Sequence, residues 1–218
     1  MQQHVTFLHT SPVHVETFER LMQATAPQVK VEHIVNEELL AEAQRVGADD
    51  PALVKRVHDA MVEAASTGAS IVVCTCSTIG GLAERTPTSD RFAAVRIDRA
   101  MADRAVKLGP RILVVAALES TLGPTTKLIE ESATVLDAKV EIEHLFVAGA
   151  WSYFLANDRA AYVEAIAAAV YAGSRTANVI VLAQASMSPA AVLLGRLGIE
   201  ILSSPSLGVR SVVERLQT

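Results

Sequence analysis

Short apolar runs rich in Val, Ile and Leu recur along the chain, separated by longer stretches whose apolar residues fall at helical spacing. That alternation predicts βα units and a mainly parallel sheet, because strands buried on both faces read as near-continuous apolar runs. The runs predict strands over Val5 to His9, Val29 to Val35, Ala69 to Cys76, Phe92 to Ile97, Arg111 to Ala117, Lys139 to Val147, Asn178 to Gln184 and Ile199 to Ser203. Helices fill most gaps. Asp50 before Pro51 predicts an N-cap with proline in the first turn, Asp98 and Asn157 are expected to cap the helices that follow them, and Gly109 to end the helix that starts at Asp98.

The pattern repeats. KVEHIV at Lys30 to Val35 recurs within KVEIEHLFV at Lys139 to Val147, and each leads through a helix to another buried strand. In the first half that strand is ASIVVCTCST, Ala69 to Thr78; in the second it is ANVIVLAQAS, Ala177 to Ser186. The two align without a gap at an offset of 108 residues, which sets Leu182 opposite Cys74, Gln184 opposite Cys76 and Ser186 opposite Thr78. The first strand of each half leaves through hydroxyl residues just before a helix: His9-Thr10-Ser11-Pro12 in one, Glu119-Ser120-Thr121-Leu122-Gly123-Pro124 in the other. In open α/β sheets ligands bind beyond the carboxyl ends of the strands, where helix N-termini offer free N–H groups to anions. Two such halves predict an anion-lined inter-domain cleft.

Composition narrows the function. With 218 residues, half of them apolar, the chain can bury a core without disulfides or metals. No apolar run reaches the roughly 18 to 20 residues of a membrane-spanning helix, and MQQHVTFLH reads as a first strand rather than a signal peptide, so a cytoplasmic protein without a membrane partner is expected. A net charge of -5 and 4% aromatic residues argue against nucleic acid. Cys74 and Cys76 are too few for a disulfide framework or a four-ligand zinc site and are expected as reduced thiols. Gly80-Gly81 lacks the spacing of a nucleotide fingerprint but would let a ligand approach the backbone closely. Lys55, Arg56, His58, Asp59 and Glu63 read as a solvated helix face, and Trp151 as a packing residue.

The chemistry falls on Cys76. It ends a buried strand and is followed by Ser77, Thr78, Ile79, Gly80 and Gly81, where backbone amides become available and a helix start favours thiolate over thiol. Cys74, further back in the strand, reads as a small apolar core residue.

Cys76-Ser77-Thr78 resembles the Cys-Asn-Thr-like motif of the aspartate/glutamate/hydantoin racemase superfamily, and Ala183-Gln184-Ala185-Ser186-Met187 stands where that family carries its second cysteine motif. The likeness spans nearly the whole chain. It implies a cofactor-independent enzyme with two pseudo-symmetric flavodoxin-like or Rossmann-like α/β domains, residues 1–97 with 205–218 and residues 98–204, the C-terminal helix returning to the first. It also implies that Cys76 works on the carbon next to a carboxylate of a small acid. Thr10, Ser11, Ser77, Thr78, Thr121 and Ser186 would hold carboxylate oxygens, and no metal is implied.

Gln184 marks the departure from the family pattern. A racemase needs an acid and a base on opposite faces of the carbon, and an amide cannot titrate. Gln184 can donate an N–H bond to a carboxylate or an enolate oxygen, which leaves one-thiol chemistry: decarboxylation, or cis/trans isomerisation by thiolate addition. His9 or His144 could restore the missing acid, although each reads more simply as structural. A non-catalytic small-anion-binding module is the alternative outside catalysis, and assembly as a homodimer or higher homo-oligomer stays open.

Overall fold

The computed structural model describes residues 3–173 and 176–217, so the first two residues and the last residue of the expected first domain lie outside the described part. All eight expected strands form: β1 His4–His9, β2 Lys30–Val35, β3 Ile71–Cys74, β4 Ala93–Arg96, β5 Arg111–Ala116, β6 Glu141–Phe146, β7 Val179–Leu182 and β8 Glu200–Ser203. They make two four-stranded sheets, ordered β2-β1-β3-β4 and β6-β5-β7-β8. Every pairing is parallel. The sequence repeat is therefore a repeat of topology, with Ile71–Cys74 and Val179–Leu182 holding the same place in their sheets. Those inner strands are buried along their whole length, which is why they carry no polar alternation.

The connecting helices are α1 Val15–Thr25, α2 Glu38–Val46, α3 Pro51–Ala65, α4 Ser77–Glu84, α5 Arg99–Leu108, α6 Leu122–Val135, α7 Ala150–Leu155, α8 Arg159–Gly173, α9 Ala190–Leu194 and α10 Ser204–Leu216. Helix α3 shows how the pattern becomes packing. Leu53, Val57, Met61 and Ala64 recur at helical spacing, and this stripe packs with Leu8, Val72 and Cys74 in one apolar cluster. Each large side chain so buried contributes roughly 1.5–3 kcal/mol relative to exposure.

Local signals hold with two adjustments. The Asp50 carboxylate accepts from the amides of Ala52 and Leu53, with Pro51 in the first turn. Gly109 follows α5 with φ +148°, and a Cβ there would lie 2.9 Å from the Cβ of Asn178. The cap of α8 is Asp158, whose Oδ1 accepts from the Ala161 amide at 3.0 Å; Asn157 instead takes a left-handed φ of 60° after α7. An amide side chain tolerates that φ better than most, so the helix begins one residue later than expected. Asp98 precedes α5, but Arg96 engages both of its carboxylate oxygens.

The chain forms two compact units, one running to Asp98 and resuming at Pro205, the other Arg99–Ser204. In the first, α10 lies against the end of β4, where Gly208 leaves no room for a side chain beside the Ile97 carbonyl. Gln3 bonds the Leu216 carbonyl at the far end of the same helix. Among the described residues no helix is long and apolar enough to cross a membrane.

Candidate active site

Strand β3 stops at Cys74 and α4 begins at Ser77, so Cys76 is the N-cap residue, extended at φ -95° and ψ 116°. The two cysteines differ sharply in surroundings. Cys74 is fully buried; burial first, then the neighbouring Cys76, push its thiol well above the ordinary range. Its Sγ donates to the Cys76 carbonyl at 3.7 Å. Cys76 is half-buried and borders the cluster that contains Cys74, Ile79 and Leu82. Its position combines partial access with the start of a two-turn helix.

Beneath that helix start lies a buried ion pair. Arg96 Nε and Nη2 donate to the two oxygens of Asp98 at 2.6 and 3.0 Å, with side-chain exposures of 3% and 1%. Burial alone would raise the Asp98 pKa, but the Arg96 charge and hydrogen bonds from Arg96 and Ser77 outweigh it and hold the carboxyl below the usual range. The Ser77 hydroxyl is thus drawn toward Asp98, and Thr78 is buried beside it. Gly80 and Gly81 receive the same guanidinium. A Cβ at Gly80 would stand 3.1 Å from Arg96 Nε, and one at Gly81 3.3 Å from Nη1. The close approach read from the glycine pair is made by Arg96, a contact no local sequence signal marks.

The end of β1 carries the other candidates of this unit. Thr10 is buried, and Ser11 is extended ahead of a short 3-10 turn, Pro12–His14. His9, wholly buried, bonds Thr75 Oγ1 through Nδ1 and His33 through Nε2, both at 2.8 Å. Burial, then the charges of His33 and His14, push its pKa down to about 3.

In the second unit, Gln184 Oε1 accepts from the amides of Ala117 and Leu118 at 2.7 and 3.1 Å. Two backbone donors fix which end of the carboxamide is oxygen, so the Nε2 hydrogens remain as its donors. Ser186 shares a hydrogen bond with Tyr162 Oη at 2.9 Å, and burial pushes that phenol up to about 12. No local sequence signal marks Tyr162, which lies on α8, 24 residues from the Ser186 it reaches. Trp151 stacks on Phe154, with ring centroids 4.4 Å apart. Thr121 is buried at the end of the 3-10 turn Glu119–Thr121. His144 bonds Thr126 at 2.7 Å on exposed β6. The units diverge at one point: Cys76 opens an eight-residue helix, whereas Gln184 precedes only the 3-10 turn Ala185–Met187. Among the described residues no group of three or more His, Cys, Asp or Glu is arranged to hold a metal ion.

No protein-family model and no curated relative matches the sequence. Solved structures do match in fold over essentially the whole chain. An aspartate racemase from Picrophilus torridus superposes with a TM-score of 0.70 at 13% identity, covering 99% of this chain and 94% of that one. An allantoin racemase from Pseudomonas fluorescens gives 0.62 at 18% identity, covering 99% and 91%. A glycine-to-cysteine variant of arylmalonate decarboxylase, solved with sulfate associated, gives 0.62 at 17% identity, covering 98% and 93%.

Proposed function

We propose, from a fold shared with aspartate and allantoin racemases and an arylmalonate decarboxylase, that this chain is a cofactor-independent enzyme of the Asp/Glu/hydantoin racemase type. It acts through Cys76 on the carbon next to a carboxylate of a small acid. The observation that carries this reading is the placement of Cys76: a half-buried thiol at the N-cap of α4, two residues beyond a sealed one. The helix start offers amides to a carboxylate oxygen, so a proton can move between Cys76 Sγ and the carbon while charge spreads onto the acid group. Thr10, Ser11, Ser77, Thr78, Thr121 and Ser186 are assigned to carboxylate binding. Ser77 does so through its backbone, since its hydroxyl is directed to Asp98.

Gln184 supplies Nε2 donors to a carboxylate or enolate oxygen and cannot supply a proton to the carbon. That favours a single-thiol reaction, with the decarboxylase or cis/trans isomerase outcome ahead of two-base racemisation. The test is selective alkylation. Iodoacetamide at neutral pH is expected to label Cys76 and spare Cys74, while Cys76→Ser loses turnover in a screen of amino acids, hydantoins, malonates and maleate yet keeps ligand-induced thermal shifts. Equal turnover by Cys76→Ser rules the mechanism out; thermal shifts without turnover in the unmodified protein favour an anion-binding module.

A further inference from the structure

A chain of polar groups runs through the apolar layer between β1, β2 and α1. Thr75 Oγ1 lies 2.8 Å from His9 Nδ1 and 3.3 Å from the Leu8 carbonyl. His9 Nε2 lies 2.8 Å from His33 Nδ1, and His33 Nε2 lies 3.1 Å from Glu19 Oε2. The rings of His9 and His33 meet edge to edge, 5.1 Å between centroids with their planes 21° apart, walled by Phe7 and Phe18.

Counting protons gives two complete arrangements on the same heavy atoms. In the first, both imidazoles are neutral: the Thr75 hydroxyl donates to His9 Nδ1, His9 Nε2–H to His33 Nδ1, and His33 Nε2–H to Glu19. In the second, one proton has been added. His33 then donates from both nitrogens, to His9 Nε2 and to Glu19; His9 donates from Nδ1 to Thr75 Oγ1; and the Thr75 hydroxyl turns to the Leu8 carbonyl. Each arrangement satisfies every ring nitrogen, as buried polar groups require. The charge of the second rests on His33 beside the partly exposed Glu19 carboxylate. The groups facing His9 are His33 from β2 and His14 from the turn before α1, with uncharged Thr75 from the segment just after β3. Burial and these two histidines together keep His9 from becoming a cation.

We propose that Thr75, His9, His33 and Glu19 form a one-proton switch at the ends of β1 and β3, in which protonation of His33 inverts the tautomer of His9 and turns the Thr75 hydroxyl. The switch is a pH-responsive device set into the strand ends: His9 is bonded covalently to Thr10, and Thr75 to Cys76. It does not depend on the chemistry proposed for Cys76.

Side-chain nitrogen–proton correlation spectra of the full chain with labelled histidine, followed from pH 8.5 to 4.5, test it. These values are about two units either side of the ordinary imidazole range. The expected result is that His33 becomes imidazolium while His9 stays neutral and moves its proton from Nε2 to Nδ1 at the same midpoint. In Glu19→Gln, a change at a partly exposed side chain, both events are expected to move together to lower pH. In Thr75→Val, where the His9 Nδ1–H of the second arrangement has no acceptor, the coupled change is expected at lower pH than in the unmodified protein. A His9 that keeps its tautomer in the unmodified protein, that becomes imidazolium, or that changes at a midpoint different from that of His33 overturns the proposal.

Discussion

Cys74 and Cys76 stand two residues apart and are chemically unlike because the strand ends between them. The first is locked into the apolar cluster under α3, and its thiol is pushed up by burial; the second begins a helix and is only half-covered. Asp98 shows the same dependence on surroundings. Its carboxylate balances the charge of a buried guanidinium, and it also anchors Ser77 in the first turn of α4. Asp98→Asn removes the carboxylate that accepts from Nε and Nη2 of the buried Arg96, so a loss of roughly 3–5 kcal/mol in unfolding free energy is expected from urea denaturation. A loss below about 1 kcal/mol would mean that the pair is hydrated in solution.

At the scale of elements, two glycines make a useful contrast. Gly208 of α10 meets the end of β4, where a Cβ would fall 2.1 Å from the Ile97 carbonyl oxygen. Gly123 in the first turn of α6 faces open space. Gly208→Ala is expected to cost roughly 1–3 kcal/mol by overpacking, while Gly123→Ala is expected to be neutral or to stabilise by up to about 1 kcal/mol, both read by urea unfolding. Equal effects at the two positions would place α10 away from β4.

The inner strands are legible because burial on both faces leaves an apolar run with no alternation, as in IVVC of β3 and VIVL of β7. The cap of α3 was legible because Asp50-Pro51 states its own geometry. Contacts between residues distant in sequence were not. Nothing near Gly80 announces Arg96, nothing near Ser186 announces Tyr162, and His9 and His33 meet only because β1 and β2 pair in register.

On the scale of the whole chain, two units repeat one sheet order while differing where chemistry would be done. The inner strands of the two units repeat the same buried apolar character, since an unpaired polar group there would stay unsatisfied, while the residue two places past each strand differs. Cys76 and Gln184 are the outcome: a group that can exchange a proton, and one that can only donate from nitrogen with its oxygen already held by two amides. Under the proposed function, this asymmetry favours a one-thiol reaction over two-base racemisation.

In the proposed reaction Cys76 handles the proton of a carbon acid. Deuterium entering the carbon beside a carboxylate, followed by proton NMR in deuterated water across the amino acids, hydantoins, malonates and maleate, reads that step. Incorporation or turnover is expected with at least one of these acids, lost by about 100-fold or more in Cys76→Ser. Incorporation at the same rate in Cys76→Ser would contradict it.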